Sequence, residues 1–127
     1  MTISMYQASA PRFINMLTNL SRILEKAEAH AVAKKIGPAI LPNARLFPDM
    51  FPLIRQVQIA CDHAKGAMAR LAGIENPKFE DAEQSFEDLK QRIARTIAFV
   101  ESVSASQIDG SEERDIAITA GGHDFRF

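Results

Sequence analysis

Apolar residues recur at steps of four and three along three stretches, from Tyr6 to Ala31, from Leu53 to Leu71 and from Phe79 to Val103. That step returns side chains to one face of an α-helix, so each stretch predicts an amphipathic helix. In the first, Tyr6, Ala10, Phe13, Leu17, Leu20, Leu24, Ala27 and Ala31 form one seam. Ser4 and Gln7 match a capping box at its start, and Gly37-Pro38 is a stop, which places this helix at about 4–36. Pro11 predicts either a kink or a second start. In the second, Leu53, Val57, Ala60, Ala64, Ala67 and Leu71 make the main seam, with Ile54, Cys61 and Met68 beside it. Asp49 is its expected N-cap and its span is about 50–72, ended by Gly73. The third helix is expected over about 81–104, with Ser85 and Asp88 offering a later start. The period then changes to two from Ile116, and Gly121-Gly122 predicts the turn of a hairpin within about 114–127.

Three amphipathic helices need a shared interior and leave room for one more. The pattern therefore predicts an all-α, up-down helical bundle of four-helix type with three helices present, a small C-terminal β-hairpin, and one domain over residues 1–127. An incomplete bundle exposes an apolar groove, and a second copy seated there, making a homo-oligomer, is the expected way to cover it. Residues 37–52 carry Pro38, Pro42, Pro48 and Pro52, which forbid a regular helix. Ile40, Leu41, Leu46, Phe47, Met50 and Phe51 lie in the same segment, so it is expected to pack over one end of the core.

Composition narrows the function classes. The chain has 127 residues, 46% of them hydrophobic and 24% charged, as an ordinary globular domain does. Fifteen basic against sixteen acidic side chains leave a net charge of −1, and no basic stripe marks a nucleic-acid partner. No run of about 18 apolar residues predicts a membrane span, and the N-terminus does not read as a secretion signal, so no membrane partner and a cytoplasmic location are expected. With Cys61 as the single cysteine, no internal disulfide or thiolate metal cluster can form.

Candidate chemistry is sparse. Arg45 and Asp49 sit among apolar neighbours close to the start of the second helix, where backbone N–H groups can receive an anion. They could form the mouth of a small-molecule pocket; equally, Asp49 caps the helix and Arg45 pins the loop by a salt bridge. His30, His63 and His123 could converge on a metal, yet no HxxxH or HExxH spacing puts two on one helix face. Asp62 and His63 are neighbours on a helix and point about 100° apart, so acid–base work would need a partner such as Glu28 or Glu101. Cys61 reads as a small core filler, and the acids from Glu80 to Asp88 as helix-start residues.

Several short motifs together resemble a known family. Met5-Tyr6-Gln7-Ala8-Ser9, Asn43-Ala44-Arg45-Leu46, Pro48-Asp49-Met50-Phe51-Pro52-Leu53, Gln56-Val57-Gln58, Ala64-Lys65-Gly66-Ala67 and Ala69-Arg70-Leu71-Ala72-Gly73 are similar, in order and spacing, to a bacterial family of unknown function grouped with the DinB/YfiT-like four-helix bundles. The resemblance runs from about residue 5 to the end of the sequence. It implies an up-down-down-up bundle whose fourth helix would follow the hairpin. It also implies, for some relatives, a divalent metal held by one histidine of helix two and two of helix four, in thiol transferases or isomerases. In this chain Gln56 to Gln58 occupy the matching stretch of helix two, and glutamine is a poor ligand for zinc or nickel. His63 shares that flank one heptad later and is the remaining metal candidate. The expected function is an oligomerising or small-ligand-binding module, with Arg45, Asp49 and Gln56 as ligand-binding candidates. The alternative is a DinB-like divalent-metal-dependent enzyme using His63.

Overall fold

Ser4 sets where the first helix begins: its Oγ accepts from the Gln7 N–H at 3.1 Å, and the Gln7 side chain accepts from the Ser4 N–H at 3.1 Å. In the computed structural model, which describes residues 2–127, this starts α1, Met5–Ala33. The helix runs through Pro11 without ending and stops short of position 36. Lys35 there takes a left-handed φ of 56°.

Helix α2, Leu53–Ala72, does not use Asp49 as its cap, contrary to the sequence expectation of a start near residue 50. Pro52 is the N-cap. The Leu53 N–H donates to the Ala44 carbonyl at 2.9 Å and the Ile54 N–H to the Pro42 carbonyl at 2.9 Å. Those loop carbonyls satisfy the first helical donors, so no side-chain cap is required and no free N–H pair is left there for an anion. At the other end Gly73 adopts φ 67°, and the Arg114 guanidinium lies so close that a Cβ would meet it at 2.2 Å. The positive φ is what favours glycine here, since the arginine tip could swing away from a Cβ.

Helix α3, Phe86–Ser102, starts later than residue 81, at the alternative start. Ser85 Oγ accepts from the Asp88 N–H at 3.1 Å, while Asp88 Oδ2 accepts from the N–H groups of Gln84 at 3.0 Å and Ser85 at 3.3 Å. The Gln84 bond, then the Ser85 bonds, hold the Asp88 carboxyl below the usual carboxylate range. The support this gives is present above the ordinary aspartate pKa and fades as pH falls through the lowered folded value. Ser85→Ala is expected to cost about 1 kcal/mol, read as a lower denaturant midpoint with unchanged slope.

Helix α3 runs against α1 and alongside α2. Lys90, in its first turns, donates to Glu28 near the end of α1 at 2.9 Å. Asp62 of α2 meets Arg92, and Met68, further along α2, packs with Val100 and Val103. The three helices are therefore up, down, down, the order the resemblance implied, and similar length alone did not specify it. Residues 74–85 are a crossover strap that returns the chain along α2. A 20-residue helix is about 30 Å long, and twelve extended residues span about 40 Å, so the strap reaches with little slack.

Helix α3 packs on both other long helices, whereas α1 and α2 meet only sparsely. Leu17, Leu24, Val57, Cys61, Leu89 and Ile93 form the main core. Ala10, Met68, Val100, Val103 and Ile108 form a second cluster at the end where α1 begins. Ile108 comes from α4, Ala105–Ile108, a single turn that plugs that end, and Asp109 after it accepts from the Tyr6 N–H at 3.0 Å. Strands β1, Ala117–Ala120, and β2, His123–Arg126, pair antiparallel with Ile118 opposite Phe125. Gly121 and Gly122, at φ 60° and 80°, supply the positive angles of a tight two-residue turn. Ile116 and Ile118 share a cleft with Ala67 and Leu71 of α2.

Candidate functional site

Prolines keep residues 37–52 out of helix, and a series of tight turns holds the segment together instead. Ile40 donates to Gly37, Ala44 to Leu41 and Met50 to Phe47, all backbone bonds of 3.0–3.1 Å. The segment was expected to pack over one end of the core; Leu41 and Pro42 do so. Ile40, Leu46, Phe47, Met50 and Phe51 remain exposed, Leu46 to 89%. With its backbone tied to itself and to α2, the segment stands off the core and roofs a space rather than filling it.

That space is a cavity of ≈ 520 Å³. Leu41, Leu46, Met50 and Phe51 line it from the connection, Ala27 from α1, and Leu53 from α2. Arg45 and Gln56 are the polar members of its wall. Arg45 Nη1 donates to the Met50 carbonyl at 2.7 Å, and Gln56 Nε2 donates to the Phe51 carbonyl at 3.3 Å. Each side chain thus braces the connection from the exposed edge of the cavity. Arg45 pins the loop through a carbonyl rather than the salt bridge considered from sequence. Its other N–H groups have no hydrogen-bond partner among the described residues and remain available at the rim. The structure brings Arg45 and Gln56 together at this cavity and leaves Asp49 outside the wall, exposed.

His63 lies elsewhere, on the open side between α1 and α2, exposed beside Ala60 and Ala64. Asp62 is engaged by Arg92 and Glu28 by Lys90, so neither is turned to His63. Among the described residues no three His, Cys, Asp or Glu side chains group closely enough to hold an ion. The donor set around His63 therefore does not by itself fit a three-ligand centre. Cys61 is buried; burial pushes its thiol up, outweighing the hydrogen bond with Thr96 that pulls it down. A thiol so held is packing, not a nucleophile.

The largest polar cluster was missed by the sequence reading. Arg92 is fully buried, with Nη2 2.8 Å from Asp62, Nη1 2.9 Å from Asp81 and 2.6 Å from Glu83, and a further bond to the Glu80 carbonyl at 3.1 Å. Burial opposes its charge, but the bonds with Glu83 and Asp62 win and raise its pKa further. Beside it, buried Lys65 donates to Asn76 at 2.8 Å and to the Pro77 carbonyl, and burial lowers its pKa. Phe79 lies between the Lys65 ammonium, 5.2 Å from its centroid, and the Arg95 guanidinium, 4.9 Å away. These contacts fasten the strap to α2 and α3. An arginine inside the apolar stripe of Leu89, Ile93 and Thr96, preceded by five acids within nine residues, was the available signal.

Comparison with known proteins agrees with this architecture. Residues 5–127 match the family described as Domain of unknown function (DUF1993). Among solved structures, that of a DinB family member protein from Shewanella denitrificans is similar, with 42% identity and a TM-score of 0.82. The match covers 91% of this chain and 65% of that one, so the chain spans about two thirds of that relative's length. No curated protein matches. Among the described residues no helix is long and apolar enough to cross a membrane.

Proposed function

From the premise that this chain belongs to the DUF1993 family and has a DinB-like bundle fold, we propose that it is a cytoplasmic small-ligand-binding module. The observation that carries this reading is the ≈ 520 Å³ cavity with apolar walls and one guanidinium at its rim. Ligand sites are concave, mostly apolar, and oriented by a few polar groups, commonly at volumes of about 300–1,000 Å³. An apolar body with a carboxylate at one end meets both features: the body replaces water against Leu41, Leu46 and Phe51, and the carboxylate pairs with the free N–H groups of Arg45.

Calorimetric titration with decanoate and with 1-decanol tests it. Decanoate is expected to bind the wild-type chain more tightly than the alcohol. Arg45→Met should weaken decanoate by about tenfold, equivalent to one charge-assisted bond, and leave the alcohol within about twofold. If neither compound binds, or if Arg45→Met weakens both equally, the carboxylate assignment fails; in the latter case Arg45 serves only as the brace on Met50.

A further inference from the structure

We draw no further inference here: the strongest candidate, the exposed apolar patch of Ile40, Leu46, Phe47 and Phe51 on the proline-rich connection at one end of the bundle, carries nothing, because nothing in the structure shows what covers it.

Discussion

Replacing Arg92 by methionine is expected to destabilise the fold by about 3–5 kcal/mol, the range for removing one partner of a buried charge pair. Methionine fills most of the volume, so the loss comes from what the guanidinium leaves behind. Glu83 is only 5% exposed at its side chain and would keep a single donor, the Ala82 N–H at 3.0 Å, with no cation beside it, whereas Asp62 and Asp81 are nearly half exposed and can turn to water. The cost should therefore concentrate on Glu83. Arg92→Met combined with Glu83→Met should recover a large part of the loss, because an apolar pair of similar volume avoids the unpaired charge. The single variant would lower Tm on the order of 10–20 °C in a chain of this size. If Arg92→Met costs under about 1 kcal/mol, the strap is not held by this cluster. A partial loss confined to the strap is also readable, since amides in residues 74–85 would exchange faster while α1 kept its protection.

The seams on α1 and α3 were legible because each helix buries one face, and Leu17, Leu24, Leu89 and Ile93 fall where the periodicity puts them. The hairpin was legible from two adjacent glycines inside a period-two run. The α2 seam was legible in part: Val57 and Ala64 are core as expected, Cys61 and Met68 of the side stripe complete the buried face, and Ala60 and Ala67 turn to the open side between α1 and α2. Alanine fits either a close helix contact or an unfilled wall, so it cannot tell a core face from an edge. Asp49 was misread because a loop carbonyl can satisfy a helix start as well as a side chain does, and carbonyls leave no trace in sequence. Arg45 was placed at a pocket mouth, together with Asp49, by its apolar neighbours, and Gln56 was singled out through the family resemblance; the bonds of Arg45 and Gln56 to the Met50 and Phe51 carbonyls depend on turns that four prolines permit without specifying. The third helix was drawn too long for a related reason. Phe79 and Ala82 keep the helical step, yet Arg92 draws the Glu80 carbonyl and the Asp81 and Glu83 carboxylates into an extended strap.

Leu89→Ala carries the second large effect, about 2–5 kcal/mol, because this side chain is fully buried where α3 packs on both α1 and α2. The term has two parts: the transfer free energy of the deleted carbons, and the space left between Leu24, Val57 and Ile93 if those neighbours cannot close over it. How far they close depends on how rigidly α1 and α2 are spaced. Those two helices touch each other little, which eases collapse onto the gap, so the loss should fall in the lower half of that range. Urea unfolding followed by circular dichroism gives the loss, with Leu46→Ala, 89% exposed, as a control expected within about 0.5 kcal/mol of wild type. An equal loss at both positions would mean that α3 is not the element on which the other two helices are built.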